Sequence, residues 1–275
     1  MASKKIHLDK YYSPQSLADY CTQKAIEVIG NENITELVES SAGNGVFLNS
    51  FEKFLPNIPY QAYDIEPEDA RIVKQDYLEL EMEYKVGRVV GFNFPFGKGN
   101  TLSVKFYKKS LKFGDYICSI LPISQLNNNQ QMYEFDLIYS EDLKICKYSD
   151  IELHCCFNIY KRNSEGLNVK RLYNLKCVDI VQTRKRNGNV NKVIDINDYD
   201  ISFCIRGNGS FGKICYSIYD YNDIIHIKIK NDIYRDLILH NIHELLNSHS
   251  GSISSKSIKT WQVYKYLKEK IPELE

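Results

Sequence analysis

The sequence predicts an α/β fold with a mainly parallel sheet, and two features support this. Short apolar runs alternate with helical segments along the first 165 residues, and a glycine-rich turn joins one such run to a helix. In addition, the apolar run at Val89–Phe92 ends abruptly at Asn93, where an open α/β sheet binds ligands. The Asn93 amide and a neighbouring main-chain carbonyl could hold an amino group, and Phe96 offers a flat face for stacking. Together these groups would suit a planar, amine-bearing ring such as adenine.

Composition limits the classes of protein to consider. The chain has 275 residues, is 43% hydrophobic and has a formal net charge of zero. It therefore has room for one globular domain and a second, smaller one, and any binding to nucleic acid needs a local basic patch. Eight cysteines without a signal-peptide pattern predict reduced thiols and a cytoplasmic location. No apolar run approaches the roughly 20 residues that span a bilayer, so we expect no membrane partner.

The first elements resemble a nucleoside-binding unit. Residues 11–30 predict a helix capped by Ser13, with Pro14 at its first position and Gly30 at its end. A strand at 34–39 then runs into the turn Ser40–Gly45 and a helix that starts at Val46. Glycines in such a turn let the backbone approach a ligand closely.

Acidic residues follow the next two predicted strands. Asp64 ends the strand at 60–63, where a carboxylate usually binds ribose hydroxyls, and Asp76 lies in the short strand at 72–77, where it could accept from an adenine amino group. The pattern then predicts a helix at 101–113, a strand at 115–122, a mobile polar loop at 125–131 and a strand at 153–160.

The pattern of predicted secondary structure changes near residue 166. Beyond it, short β-prone runs at 201–206 and 224–229 are separated by turns such as Asn187-Gly188 and Gly207-Asn208-Gly209. A helix at 258–270 carries Trp261, the only tryptophan. We therefore predict a core at 1–165 and a small mixed α+β module at 166–275.

Four segments occur in an order that resembles the class I S-adenosylmethionine-dependent methyltransferases, in particular the adenine-N6 DNA methyltransferases. They are Asp9–Pro14, Glu39–Gly45, Tyr63–Pro67 and Asn93–Gly97. The resemblance covers residues 8–162 and implies a Rossmann-like catalytic core that uses S-adenosylmethionine. It also implies a nucleic-acid substrate, with DNA favoured over RNA and the second module reading the target.

The same resemblance implies roles for individual residues. Asn93 and the carbonyl of Phe94 would accept from the target amino group, Pro95 completes this motif, and Phe96 would stack on the base, with Phe157 as a second stacking residue. Phosphate contacts are expected from Lys98, Arg184, Lys185 and Arg186, although a solvated turn is the alternative for the last three. The cofactor-binding residues would be Tyr12, Ser13, Glu39, Ala42, Gly43, Gly45, Asp64, Ile65, Asp76 and Tyr77.

The chain departs from the family pattern at two positions. Ser40 and Phe94 each stand where the family usually has proline, and the absence of a proline loosens a turn by up to about 1 kcal/mol. Three alternatives stay open: methylation of RNA adenine, methylation of a protein glutamine, and a silent cofactor-binding subunit that works with a partner protein. A zinc site is not expected, because the spacing of His226, His240, His243 and His249 matches no common zinc site.

Overall fold

The computed structural model describes residues 12–148, 151–170, 175–207, 209–248 and 257–274. The chain divides into two compact units, and the boundary lies between Lys170 and Arg171. Within the described ranges, no helix is long and apolar enough to cross a membrane. We refer to the two parts as the first unit and the second unit.

The first unit is built on a seven-stranded sheet with the strand order β3-β2-β1-β4-β5-β7-β6. Strands β1 to β5 pair in parallel, whereas β7 runs antiparallel to β5 and β6 antiparallel to β7. The predicted Rossmann-like core with a mainly parallel sheet is confirmed. Its helices are α1 (Gln15–Ile29), α2 (Val46–Phe54) and α3 (Thr101–Ser110), and its strands are β1 (Glu36–Glu39), β2 (Tyr60–Asp64), β3 (Val73–Lys74), β4 (Arg88–Phe92), β5 (Tyr116–Pro122), β6 (Asp136–Tyr148) and β7 (Ile151–Lys161).

Helices cover both faces of this sheet. Leu37 and Val89 pack with the apolar residues of α1 and α2, whereas Val38 and Val90 pack with those of α3. Successive side chains of a strand point to opposite faces, so a strand buried on both faces is apolar at consecutive positions. This explains why residues Val89–Phe92 of β4 appear in the sequence as an uninterrupted apolar run.

The strand order creates a crevice between β1 and β4. These two strands are neighbours, with Glu39 opposite Gly91 at their carboxyl ends. The chain then continues from β1 to β2 on one side and from β4 to β5 on the other. Connections that diverge in this way leave space above the sheet edge, where ligands bind in open α/β folds.

The structure corrects several local expectations. Helix α1 begins at Gln15 with Pro14, not Ser13, as its N-cap residue, and the third strand spans only Val73–Lys74. The idea of a mobile polar loop at 125–131 is wrong about its side chains, because Gln125, Asn128 and Gln130 are buried. The Asn128 amide finds main-chain partners there, because its Nδ2 donates to the Ser124 carbonyl at 2.9 Å and its Oδ1 accepts from the Gln130 N–H at 3.0 Å.

The second unit is a mixed α+β module, as the sequence predicts. Its four-stranded antiparallel sheet has the order β10-β11-β8-β9 and packs against two helices through its own apolar core. Asn187 and Gly188, both with positive φ, form the tight turn between β8 and β9. Asn208 of the other predicted turn lies outside the described residues. The elements are β8 (Val178–Arg186), β9 (Asn189–Val190), β10 (Ile201–Cys204), β11 (Asp223–Ile229), α4 (Arg235–Ser248) and α5 (Thr260–Lys270).

Candidate active site

A cavity of about 200 Å³ opens at the carboxyl ends of β1, β2 and β4 in the first unit. It brings together residues from all four sequence segments, although Asp9, Lys10 and Tyr11 of the first segment lie outside the described residues. The sequence-predicted residues that line it are Tyr12, Ser13, Ala42, Gly43, Asp64, Ile65, Asp76, Tyr77, Asn93, Phe94, Pro95 and Phe96. Segments up to 80 residues apart in the chain therefore form one site, as seen in the contact between Asn93 Nδ2 and Ser13 Oγ at 3.4 Å.

The glycine-rich turn is fastened to Asp64. The backbone N–H of Gly43 donates to Asp64 Oδ2 at 2.8 Å, and that of Glu66 donates to Oδ1 at 2.8 Å. Gly43 has a φ of +54°, and a Cβ at this position would lie 3.0 Å from the Tyr12 ring. The carboxylate is thus held in place at the cavity while each oxygen keeps a lone pair for a ligand hydroxyl.

Gly45 serves the packing below the turn and does not line the cavity. Its φ is +79°, and a Cβ there would lie 2.8 Å from Asp69 Oδ2. Asp69 in turn pairs with Arg71 at 2.7 Å. The positive φ and the close approach of Asp69 therefore require glycine at position 45. This requirement is separate from the cofactor contact that the sequence predicts.

Glu39 and Ser40 bury polar atoms that have no partner among the described residues. Glu39 is 1% exposed, and its Oε1 accepts from the Ser41 N–H at 3.3 Å. Its Oε2 and the Ser40 hydroxyl have no hydrogen-bond partner in that part of the chain. Burial raises the pKa of the Glu39 carboxyl well above its ordinary value, and main-chain hydrogen bonds oppose this rise. Ser40 lines the cavity and Glu39 does not, so Glu39 lies at the end of β1 beneath it.

Strand β4 ends in a strained residue. Phe92 has a φ of +87°, which is uncommon for a residue other than glycine. Its ring is fixed by Phe47 and Phe51 on α2, with centroids 5.3 and 4.8 Å away. Such strain persists only where packing enforces it, and it is concentrated at functional sites. Here it directs the chain out of the sheet at Asn93.

The main-chain carbonyls that follow β4 fall into two groups. Among the residues that the structure describes, the Phe94 carbonyl accepts no hydrogen bond. Its neighbours are occupied: Asn93 accepts from Ser41 Oγ (2.8 Å), Pro95 from Ser103 Oγ (2.9 Å) and Phe96 from the Leu102 N–H (3.2 Å). The loop is therefore held at three points and leaves one acceptor open beside the Asn93 amide.

Phe94 anchors this loop through its side chain. The ring is 1% exposed and lies against Phe106, with centroids 5.7 Å apart. We expected the missing proline to loosen the turn, but burial of the ring supplies a different constraint. A fully buried phenylalanine contributes about 1.5–3 kcal/mol, which exceeds the entropy that a proline removes.

One side of the cavity carries a donor and an acceptor next to each other. Asp76 Oδ1 accepts from the Leu78 N–H at 2.8 Å, whereas Asp76 Oδ2 and the Tyr77 N–H make no hydrogen bond within the described residues. The Tyr77 ring points into the core, where its hydroxyl contacts Ser110 Oγ at 2.8 Å. Ile65, which is 46% exposed, adds an apolar surface. This set matches the amino group, the ring nitrogen and the face of an adenine.

Some predicted substrate residues lie elsewhere. The expectation that Phe157 stacks on a base is wrong, because Phe157 is 0% exposed and packs in the core between the sheet and the first two helices. Lys98 is exposed two residues beyond Phe96 and does not line the cavity. The residues that line the cavity without having been predicted as site residues are Ser40, Ser41, Asn44, Val46, Phe47, Gln75, Leu78, Leu102 and Phe106. Ser103 was also missed; it supports the loop by donating to the Pro95 carbonyl. Only the polar residues of the glycine-rich turn, Ser40, Ser41 and Asn44, had a signal in the sequence.

The histidines serve no common purpose. His226 is buried between Thr183 Oγ1 and Ser202 Oγ, at 2.9 and 2.8 Å, whereas His240 and His243 are exposed on α4. His249 lies outside the described ranges. Within those ranges, no three His, Cys, Asp or Glu side chains are grouped as a metal site would require.

No family model and no curated protein matches this chain. Solved structures with a similar fold include a protein of Pyrococcus horikoshii named as a candidate RNA methyltransferase, at 15% identity and a TM-score of 0.46 over 57% of this chain and 89% of that one. Another is the 23S rRNA methyltransferase ErmE, at 12% identity and a TM-score of 0.42 over 58% and 72%. A third, TYW2 from M. jannaschii with bound AdoMet, has 17% identity and a TM-score of 0.36 over 53% and 77%.

Proposed function

We propose that the chain is an S-adenosylmethionine-dependent methyltransferase that methylates the N6 amino group of adenine in nucleic acid, with DNA as the preferred substrate. The observation that carries this proposal is the open carbonyl of Phe94 beside the Asn93 amide, at the edge of a cavity of about 200 Å³. Two acceptors placed side by side at the end of β4 suit an amino group that carries two hydrogens.

The residues on the opposite side of the cavity fit the adenosyl part of the cofactor. Asp64 would accept from the ribose hydroxyls, since its carboxylate is already oriented by Gly43 and Glu66. Asp76 Oδ2 would accept from the adenine amino group and the Tyr77 N–H would donate to the ring nitrogen. The ammonium group of the methionine part would supply the donor that Glu39 and Ser40 lack, near the end of β1. When bound, the cofactor supplies an electrophilic methyl group on a positively charged sulfur.

The protein's contribution to the reaction is alignment. The lone pair of an adenine amino group is delocalised into the ring, so the nitrogen is a poor nucleophile. Acceptors at Asn93 Oδ1 and the Phe94 carbonyl would favour a tetrahedral nitrogen and direct its lone pair toward the methyl group. In such a transfer the nitrogen–carbon bond would replace the carbon–sulfur bond of the cofactor, and the extra proton on nitrogen would pass to water. Alignment of this kind lowers a barrier by several kcal/mol.

A base in a duplex must first leave the stack, which costs a few kcal/mol. Phe96 lines the cavity and is partly exposed, and its ring would stack on the extruded base. Our preference for DNA rests on the order of the sequence segments, in which the second module follows the catalytic motif.

The test is methyl transfer from isotopically labelled S-adenosylmethionine to unmethylated genomic DNA and, separately, to total RNA, with the digested nucleosides analysed by mass. We expect labelled N6-methyladenine from DNA. Asn93→Ala should reduce the rate by about 10²–10³-fold while cofactor binding persists. Asn57→Ala, a change at an exposed asparagine outside the cavity, is the matched control and should keep full activity.

Two outcomes would count against parts of this proposal. Label in RNA alone would replace DNA by RNA as the substrate. Bound cofactor without label in either nucleic acid would overturn the nucleic-acid enzyme and leave a protein substrate or a silent subunit. Tight anchoring of Phe94 argues against the silent subunit, because the loop that would hold the target amino group is kept in place.

A further inference from the structure

One end of the small sheet in the second unit gathers cations around a single buried carboxylate. Asp223, at the start of β11, is 4% exposed as a side chain. Arg186 Nη2 contacts both of its oxygens, at 3.1 and 3.2 Å, and Arg184 and Arg206 place their Nε atoms 3.8 and 3.9 Å away. The side chains of the three arginines are 56–62% exposed. Asp223 therefore gathers three guanidinium groups that remain more than half exposed, although Arg186 Nη1 also donates to the Lys185 carbonyl at 2.9 Å and Arg184 Nη2 to Gln182 Oε1 at 3.1 Å.

The positive charge at this end exceeds what the carboxylates balance. Lys259 lies close enough to Arg206 and Arg184 that, together with its own burial, their charges lower the pKa of its amine. An open groove runs beside these residues, and among the described residues that line it the acidic ones are Asp220 and Asp223. Asp220 is already engaged, since one of its oxygens accepts from the backbone of Tyr216 and Ser217. We call this the arginine groove; it is lined by Arg186, Cys204, Arg206, Gly207, Ser210 and residues 220–223.

The strand pattern explains which basic residues take part. Arg184 and Arg186 alternate along β8 and both reach Asp223, whereas Lys185 between them donates to the Tyr219 carbonyl at 2.6 Å. The basic run 184–186 of the sequence is thus divided into two arginines that flank the groove and one lysine that fastens the neighbouring loop. Arg206 and Lys259 join the cluster from distant parts of the sequence, because Ile258 pairs with Ile205 through a backbone hydrogen bond of 3.1 Å.

The loop fastened by Lys185 displays aromatic side chains. Tyr216 is 84% exposed and Tyr219 is 56% exposed, while their backbone is ordered by Asp220 and Ser217. Residues 220–222 of the same loop line the arginine groove. Large exposed aromatic side chains on an ordered loop next to unneutralised arginines are the combination with which proteins bind unpaired nucleic acid strands.

We propose that the second unit binds single-stranded nucleic acid, with its phosphates at Arg184, Arg186 and Arg206 and its unpaired bases stacked on Tyr216 and Tyr219. A phosphate in the groove would place negative charge among cations that now repel one another, and guanidinium groups are well suited to hydrogen-bond phosphate oxygens. The inference rests on the proposed function only in taking nucleic acid as the ligand. It concerns binding and requires no methyl transfer.

The test uses the full chain and fluorescence anisotropy with a labelled single-stranded oligonucleotide and the same sequence as a duplex, over a range of salt concentrations. We expect the single strand to bind more tightly. The double variant R184Q/R206Q, which leaves the Arg186–Asp223 pair intact, should weaken binding and flatten the slope of log K against log salt by about 0.7 for each phosphate that the chain no longer neutralises. Lys228→Gln, at an exposed position near the far end of β11, is the control and should bind like the parent.

The tyrosines separate stacking from charge alone. Tyr216→Ala and Tyr219→Ala should each weaken single-strand binding by roughly tenfold, within the range for one stacked base, and leave the salt slope and duplex binding unchanged. Tighter binding to the duplex, full binding by R184Q/R206Q, or equal weakening in Lys228→Gln would overturn the inference. A chain that binds the single strand through these residues but transfers no methyl group would refute the proposed function and leave this inference standing.

Discussion

The two units treat buried polar groups differently. At the end of β1 in the first unit, Glu39 Oε2 and Ser40 Oγ are buried without hydrogen-bond partners, whereas no described residue of the second unit buries a side-chain atom in that state. His226, fully buried in the second unit, has a hydroxyl partner at each ring nitrogen. An unpaired buried polar atom costs about 1–3 kcal/mol. The first unit therefore carries part of this cost where a ligand could remove it, in addition to the unpaired atoms of Thr22, Asn100 and Gln125 away from the cavity. The described interior of the second unit has no such atom, and its arginines lie on the surface.

The largest effect that tests this comparison concerns His226 and pH. Burial lowers the pKa of His226 to about 4, so the ring stays neutral in the folded chain. Between pH 6.5 and 4 the unfolded chain binds the proton and the folded one does not, so stability should fall as the pH is lowered, by up to about 3 kcal/mol from this group. Trp261, the only tryptophan, lies in the second unit, so its fluorescence during urea unfolding reports the relevant transition.

The variant His226→Gln should flatten this pH dependence even if it lowers stability at every pH. His240→Gln, at an exposed histidine of α4, should leave the dependence as in the parent. If the free energy of unfolding depends on pH in the same way in His226→Gln and in the parent, burial does not keep the His226 ring neutral in the folded second unit.

A second prediction concerns how the first unit holds the main-chain carbonyl of Phe94, its open acceptor, in place. Phe94→Pro would restore the residue that the related family usually has, yet it removes a buried ring that contacts Phe106. We expect the free energy of unfolding to fall by about 2 kcal/mol, because the removal of buried apolar surface outweighs the entropy gained. Urea unfolding followed by circular dichroism measures this change, and a stability gain would show that the turn, not the ring, anchors the loop.

Phe94 also illustrates what could be read from the sequence. The parallel sheet, the glycine turn, Asp64, Asp76 and the Asn93 motif follow from local patterns, because strand ends and turns have characteristic residues. The direction of the Phe94 ring, the strain at Phe92 and the burial of Phe157 depend on packing between distant segments, which no local pattern records. Arg206 and Lys259 were missed for the same reason, since only the folded chain brings them to Arg184.

The smallest expected effect comes from a comparison of Glu39 with Glu36, which lie at the two ends of β1. This comparison is the most direct test of the unpaired carboxylate oxygen of Glu39. Burial raises the pKa of Glu39. Its contribution to the free energy of unfolding is therefore present at pH values below the ordinary pKa of a glutamate, and it is lost as the pH rises through the pKa of the folded chain. Burial also raises the pKa of Glu36, but hydrogen bonds from Arg88 and Gln61 outweigh it and leave that pKa lowered. At pH values above the ordinary pKa of a glutamate, ionised Glu36 therefore stabilises the fold, whereas ionised Glu39 destabilises it.

In Glu39→Gln the side chain cannot ionise, so we expect the strand to be more stable than in the parent at pH 8, with no difference near pH 4. Glu36→Gln is the matched control and should have the opposite effect at pH 8. Hydrogen exchange of peptides that contain β1 measures both. Saturating S-adenosylmethionine should shrink the difference between Glu39→Gln and the parent, because a nearby ammonium group would stabilise the ionised carboxylate. If the cofactor binds and the stability difference between Glu39→Gln and the parent persists, the unpaired oxygen of Glu39 does not interact with the cofactor. The buried carboxylate at the end of β1 then has another role.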